Sequence, residues 1–378
     1  MLEYHWDLDY LASFFNANAL TFSMVGSARE DQNSMPGKFM GYAAYGNYDK
    51  KIELWLKEND YFKDIWGKRK YFFDRLRRQW NKDLRSFDQK DSFLQNIAAT
   101  FQHIFQRELL KKMEELKKTT KAEYLYYSGG SALNIKANAA LANSGLFRDI
   151  YIPPCTNDSG LSIGAGAFME WLKHGYVKQQ SPYLNNWFLD NVGISCTEED
   201  LNRLAKILYE GEVVAVMNGY GEAGPRALGN RSILARADSR DLSDYVSRRL
   251  KQREWYRPLA PVMQGKHLPY FTQVSGSTSL SKYMLTEFKI LPEKKGEIKG
   301  ALHVDGTSRI QTLSRREENP FLYDLLNVLE AQYGIRVLLN TSFNSKGMPL
   351  VHSGEDAYEE ARKMGINHLV LNGKLKQI

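Results

Sequence analysis

Cysteine is nearly absent. Cys155 and Cys196 are the only two in 378 residues, which excludes a disulfide framework and any zinc site made of cysteines alone, and fits a reducing cytoplasm. No run of about twenty apolar residues occurs, so no helix is expected to span a bilayer. The opening MLEYHWDLDYLASFF lacks a basic stretch leading into an apolar one, so no export signal is expected. Histidine is sparse, seven in all, and no two stand in an HxxxH spacing. A Walker pattern, an HExxH and a defensible Ser-His-Asp set are missing as well. Secreted disulfide scaffolds, membrane spans, P-loop enzymes and zincin proteases are thereby set aside.

What is present is a globular composition, 43% hydrophobic and 25% charged, in a chain long enough for two domains. The net charge of +7 serves solubility, or an anionic ligand such as ATP, an acyl phosphate or nucleic acid. Residues 60–90 are basic and aromatic, with apolar residues at three- and four-residue steps, so part of the segment is expected to be an amphipathic helix. Phe93, Ile97, Phe101, Ile104, Phe105 and Leu109 share one face of a long helix expected over Ser92–Lys118. EYLYYSGG reads as a strand entering a Gly-Gly turn, ALNIKANAALANSG as a helix closed by Gly145, and DIYIPP as a second strand. GLSIGAGAFMEWLKHG follows as a helix whose small residues suit close packing. This is an α/β pattern. SPYLNNWFLDN is an irregular aromatic connector. A second unit then opens with a helix capped by Thr197 and the strand EVVAVMNGY. The boundary is placed near residue 188, giving domains 1–188 and 189–378.

Five stretches carry chemistry. GYGEAGPRALGNRSI sets Arg226 and Arg231 among flexible glycines, with Asn230 and Ser232 as neutral donors, and paired guanidinium groups suit phosphate or carboxylate. An internal ion-pair turn is the plainer reading. RRLKQREWYRPLAPVM crowds Arg248, Arg249, Lys251, Arg253 and Arg257 against prolines, as a phosphate pocket or as a surface helix. HVDGTSRIQTL alternates His303, Asp305, Thr307, Arg309 and Gln311 in strand register, so these polar residues are expected on one face. RVLLNTSFNSKG runs an apolar strand into Asn340, Thr341, Ser342 and Asn344, at the strand end where α/β sheets gather ligands. Gly129 and Gly130 leave backbone N–H groups free at a helix start, and Asp158 caps the next helix or serves a metal or phosphate site.

Taken together, GKFMGYAAYG, SGGSALNIKAN, NDSGLSIGAGA, GPRALGNRSI, KQREWYRPLAPVM, HVDGTSRIQT and NTSFNSKGMPLV resemble, in order, the motifs of the NodU/TobZ-type carbamoyltransferase family, over residues 37–351. The resemblance implies an α/β protein with a partial actin-like ATPase (ASKHA) domain followed by a YrdC-like open α/β domain. It implies carbamoyl adenylate formation from ATP and carbamoyl phosphate, then carbamoyl transfer to an acceptor hydroxyl on a small molecule or modified nucleotide. Arg226, Lys251, Arg253, Arg257, Asn340 and Ser342 would hold ATP and carbamoyl phosphate, with Asn230, Arg231 and Thr341 in the nucleotide site. Gly129, Gly130 and Asn134 would bind the adenylate in the transfer site, and Asp158 would help hold a divalent metal, iron, magnesium or manganese. Family members carry an upstream lobe with an HxxxH pair. Its absence here implies that a separate polypeptide brings it, that transfer is lost, or that the chain is a fragment. Two other readings stay open: a non-catalytic nucleotide-binding subunit, and a nucleic-acid binder using the basic 60–90 segment.

Overall fold

The computed structural model describes residues 34–58, 69–82, 88–178, 181–186, 189, 195–276 and 278–378. The chain forms two compact units, one of Met1–Glu123, Ala139–Arg148 and Glu254–Arg257, the other of Tyr124–Asn138, Asp149–Arg253 and Pro258–Ile378. Residues 187–188, where the boundary was expected, lie outside the described residues, as do 59–68 and 83–87 of the basic segment.

The first unit is helical. It contains α1 (Met35–Ala43), α2 (Lys50–Glu58), α3 (Arg69–Trp80) and α4 (Ser92–Thr120). The helix within 60–90 is α3. In α4, Asp91 caps the start by accepting from the Phe93 N–H at 2.9 Å, and Lys121, left-handed at φ 55°, ends it. Ile97, Phe101, Ile104, Phe105 and Leu109 form its buried stripe, and Phe39 of α1 meets Phe101 edge-on at 5.8 Å. The glycine ending GKFMGYAAYG has a steric cause: a Cβ on Gly46 would lie 2.0 Å from the Gln95 carbonyl oxygen.

Two inward-facing carboxylates make this unit acid-sensitive. Glu53 accepts from both Arg107 Nη atoms at 3.1 and 2.9 Å and lies 2.6 Å from Lys57. Glu254 lies 2.9 Å from Lys38 and 3.1 Å from Arg257. Burial pushes each carboxyl upward, but hydrogen bonds from Arg107, Lys57 and Tyr48 in one case, and from Lys38 and Arg257 in the other, bring both down to about 2. A carboxyl held below its unfolded value of about 4.3 stabilises the fold fully above that pH, and the gain is lost as pH falls through the folded value. An acid titration followed by circular dichroism is expected to show a stability loss that opens below about pH 4.5 and deepens toward about pH 2. The double variant Glu53→Gln/Glu254→Gln, already missing that gain, is expected to flatten the profile.

The second unit begins with β1 (Tyr124–Tyr126) and β2 (Asp149–Tyr151), which pair in parallel, and between them α5 (Ile135–Asn143) starts in the second unit and ends in the first. Next comes α6 (Leu161–His174), none of whose residues is buried. Close packing was expected from its glycines and alanines; instead Leu161 is 72% exposed and Trp171 50%. An apolar, small-residue pattern encodes a demand for burial but not the surface that meets it. Within the connector, β3 (Tyr183–Asn185) pairs with β5 (Gly221–Glu222), so it is more regular than its sequence suggests.

Among the described residues the unit's centre is a seven-stranded mixed sheet in the order β10-β7-β11-β6-β4-β12-β13. Its strands are β4 (Val214–Met217), β6 (Arg231–Arg236), β7 (Ala260–Gln264), β10 (Gln311–Leu313), β11 (Val337–Ser342), β12 (His368–Leu371) and β13 (Lys374–Gln377). α7 (Glu198–Tyr209), capped by Thr197 accepting from the Asp200 N–H at 3.1 Å, and α8 (Pro320–Tyr333) cover one face with Leu204, Leu208, Leu325 and Leu329. Val214, Val216, Leu234 and Leu338 answer them. The alternate residues Ala215, Met217, Ile233 and Leu339 pack on the other face with Val246, Phe271 and Ala357 of α9 (Gly354–Met364). Period-two alternation thus places one apolar set on each face.

HVDGTSRIQTL is not one strand. Asp305 accepts from the Thr307 N–H at 3.0 Å, Gly306 takes φ 75°, and its N–H bonds the His303 carbonyl at 3.0 Å, closing a turn. Strand structure is confined to β9 (Thr307–Ser308), which pairs with β8 (Phe288–Lys289), and to β10. Local Asp-Gly turn chemistry overrides the alternation, so His303 and Asp305 do not share a strand face with Gln311.

Candidate active site at the polar end of the sheet

The site lies in the second unit, where β4 and β11 end and β6 begins. Ser342 is registered opposite Ser232, and Met217 opposite Arg231. Apolar strand interiors therefore hand over to polar residues along one sheet edge.

Lys251 closes a wide π turn over Tyr245–Leu250, its N–H reaching back five residues to the Val246 carbonyl at 3.0 Å. Gln252, at φ 47°, follows in the left-handed region, a strain that clusters at functional positions. The lysine is 4% exposed. Its ammonium donates to the Ser342 carbonyl at 2.7 Å, to Ser342 Oγ at 3.2 Å, to Asn344 Oδ1 at 2.5 Å and to the Asn344 carbonyl. The structure thus joins two sequence stretches some ninety residues apart around one cation surrounded by neutral oxygens. Ser342 Oγ also donates to Asn344 Oδ1 at 2.8 Å.

The turn carrying Arg226 is held from several sides. Glu222 Oε1 accepts the backbone N–H groups of Leu228, Asn230 and Arg231 at 2.8, 2.8 and 3.1 Å. The Leu228 carbonyl accepts from Gln311 Nε2 at 2.8 Å and from Tyr183 Oη at 3.0 Å. Asn340 Nδ2 donates to Gln311 Oε1 at 2.7 Å and to the Ala227 carbonyl at 3.2 Å. Asn340 Oδ1 and Ser232 Oγ are buried without a hydrogen bond among the described residues. Buried polar atoms in that state cost stability unless something completes them. Arg226 itself is half-buried, and Thr341 is buried on β11.

Arg231 and Asn230 are engaged inside the protein. Arg231, 1% exposed, donates from Nε to the Val351 carbonyl at 2.9 Å and from Nη1 to the Gly219 and Asn230 carbonyls at 3.0 and 2.9 Å. Burial lowers its pKa and the Glu222 charge acts against that. Asn230 donates to the Tyr220 carbonyl at 2.9 Å and accepts from Asn319 Nδ2 at 2.9 Å. The half-buried Arg253 bonds back through its N–H to the Ser247 carbonyl at 2.9 Å. Arg257 belongs to the first unit, where Glu254 is its carboxylate partner at 3.1 Å.

The glycine turn after β1 and the loop after β2 are neighbours: the Gly129 N–H donates to the Thr156 carbonyl at 2.7 Å. Gly129, at φ 107°, and Gly130 have nothing within 4 Å of where a Cβ would stand, so open space fronts the turn. Asn134, 3% exposed, caps α5 by accepting from the Ala137 N–H at 3.0 Å. Asp158 is exposed in the facing loop. Among the described residues no three His, Cys, Asp or Glu side chains group to hold a metal, so these residues alone do not make a metal centre around Asp158. The Arg226 turn reaches the same loop: a Cβ on Gly224 would lie 2.5 Å from the Pro154 carbonyl oxygen.

Sequence reasoning passed over Glu222 and Tyr183 and left Gln311 outside the ligand set. Glu222 offered one signal, an acid between a strand and a glycine-rich turn, where orphan amides collect around a carboxylate.

The sequence that builds this arrangement matches a family. The model described as Carbamoyltransferase N-terminus matches residues 2–168, and that described as Carbamoyltransferase C-terminus matches residues 205–377. The chain belongs to the carbamoyltransferase family. It is 30% identical over 340 residues to nodulation protein NolO of Bradyrhizobium diazoefficiens, covering 85% of this chain and 61% of NolO. It is 36% identical over 266 residues to nodulation protein U of Azorhizobium caulinodans, covering 67% of this chain and 45% of that one. The chain therefore spans roughly half of the length of the curated relatives it matches. A solved structure of full-length HypF in the phosphate- and nucleotide-bound form is 21% identical, with a TM-score of 0.33, over 46% of this chain and 21% of that one; a likeness so slight carries no argument. No helix of the described residues is long and apolar enough to cross a membrane.

Proposed function

We propose that the second unit forms carbamoyl adenylate from ATP and carbamoyl phosphate, and that the carbamoyl group passes to an acceptor hydroxyl at the loops bearing Gly129, Gly130 and Asp158. The observation that carries the reading is the Lys251–Ser342–Asn344 cluster beside the latched Arg226 turn, in a chain of the carbamoyltransferase family. In this reading the unit has a YrdC-like role, and the residues around β1 and β2 form part of an actin-like ATPase domain.

The balance of the reaction sets what the residues must do. Water cleaves carbamoyl phosphate to carbamate and inorganic phosphate; a carbamate oxygen then attacks the α-phosphorus of ATP, and pyrophosphate leaves. Both partners of the second step are anions. Arg226, Lys251 and Arg253 offset that repulsion, and a cation fixed in a buried site stabilises developing charge more than it would in water. Asn340, Thr341 and Ser342 supply neutral donors and acceptors. Arg231 and Asn230 hold the turn from behind. Arg257 is held by Glu254 in the first unit, and no step is assigned to it. Asp158 is the residue here that would help hold a divalent metal, which would supply a Lewis acid for the carbamoyl carbonyl; one carboxylate does not hold it alone, and further ligands would have to be brought to it. A separate polypeptide bringing an upstream lobe would also have the bare apolar surface of α6 to cover.

The test is pyrophosphate release from ATP and carbamoyl phosphate without acceptor. The chain alone is expected to release pyrophosphate and to transfer poorly. Folded protein that binds ATP but releases none would reject adenylate formation and leave a nucleotide-binding subunit.

A further inference from the structure

We infer that Glu222 is a positioning residue for Arg226, a role that rests on the reaction proposed above. The turn from Gly224 to Asn230 takes two positive-φ glycines, Gly224 at 104° and Gly229 at 123°. Such a segment has many conformations open to it, and a guanidinium on it has no fixed address unless the backbone is tied down. Glu222 ties it. One oxygen, Oε1, collects N–H groups six, eight and nine residues along the chain, at 2.8, 2.8 and 3.1 Å. These bracket the turn's return, and Arg226, half-buried, stands on the arm that precedes them.

The latch is built to last. Glu222 is 1% exposed, so water does not compete for Oε1. Its Oε2 is buried without a hydrogen bond among the described residues, and the charge of Arg231 answers it electrostatically. Arg231 is in turn fixed by backbone carbonyls at 2.9 to 3.0 Å. Gln311 and Tyr183 secure the Leu228 carbonyl from the other side. The turn's N–H groups are held by one acid, and its Ala227 and Leu228 carbonyls by neutral donors. That division fixes the backbone on which Arg226 stands, and in the proposed reaction a guanidinium on a fixed backbone is preorganised for an anion.

The experiment is a double-mutant cycle on the full chain, reading pyrophosphate release, with amide hydrogen exchange at Leu228, Asn230 and Arg231. Glu222→Ala is expected to lower kcat about thirtyfold and to strip protection from those three amides. Glu222→Gln, whose carbonyl oxygen still accepts, is expected to recover to within about fivefold of wild type. In the Arg226→Ala background, Glu222→Ala is expected to add less than about twofold, because its effect passes through the arginine. Full additivity of the two substitutions would overturn the inference; so would loss of amide protection with no change in rate. If Glu222→Ala does not fold, the Glu222→Gln cycle decides by the same criterion. If wild-type protein releases no pyrophosphate, the proposed reaction fails, and the cycle is read on ATP affinity by calorimetry. Coupling there keeps the positioning role, additivity overturns it, and a chain that binds no ATP overturns both.

Discussion

Lys251→Met is expected to lower pyrophosphate release at least a hundredfold, with Lys251→Arg little better. Lys251 is 4% exposed, and its ammonium sits among the oxygens of Ser342 and Asn344. Removing it deletes a fixed positive charge from a site where two anions must meet, a loss of about 10²–10³ in rate for comparable preorganised donors. Methionine fills the stem's volume but leaves the Ser342 and Asn344 carbonyls without their donor, at about 1–3 kcal/mol for each acceptor so stranded. Arginine keeps the charge, yet its planar fork does not fit a pocket shaped around a compact ammonium. The measurement is initial-rate pyrophosphate release beside a thermal melt. A Lys251→Met protein that keeps more than about a third of the wild-type rate would remove this residue from the reaction.

The largest stability effect is expected from Gly224→Ala. Two separate obstacles add there. The backbone sits at φ 104°, which L side chains rarely adopt, and the new Cβ would stand 2.5 Å from the Pro154 carbonyl oxygen and 3.3 Å from Cys155 Cα. Positive φ costs about 1–3 kcal/mol, and overpacking of this kind about as much again. Because relief means parting the Arg226 turn from the 154–158 loop, activity is expected to fall with stability. Gly164→Ala is the control. It lies inside α6 with nothing within 4 Å of the added carbon, so the helix is expected to gain up to about 1 kcal/mol from alanine's better propensity. Denaturant midpoints of the two variants against wild type settle the comparison.

Much of this was legible because it is local. α4 declared itself through Ile97, Phe101, Ile104 and Phe105 on one stripe, and α7 through the Thr197 cap, since three- and four-residue spacing and capping need no knowledge of the rest of the fold. The polar run at the end of β11 likewise pointed to the place where Lys251 meets Ser342. Other features depended on distance. Nothing in the order of residues tells that Glu222 bends back onto amides up to nine positions later, or that Arg231 turns inward onto the Val351 carbonyl, 120 residues away. The HVDGTSRIQTL stretch misled for the opposite reason: its Asp-Gly pair makes a tight turn within a sequence that alternates like a strand. α6 misled because its composition states how dry the helix should be and not what dries it.

That same helix governs how the chain behaves in a tube. Leu161, Phe168, Met169, Trp171 and Leu172 all lie at least half in solvent. Concentrated stocks of the chain alone will attract one another, bind hydrophobic dyes and adhere to phenyl resins, and the emission of Trp171 will sit toward the red. Covering the strip would quiet the dye and shift the Trp171 share of the seven-tryptophan emission blue, so the difference against a Trp171→Phe variant reports, without any enzymology, when the chain has found company.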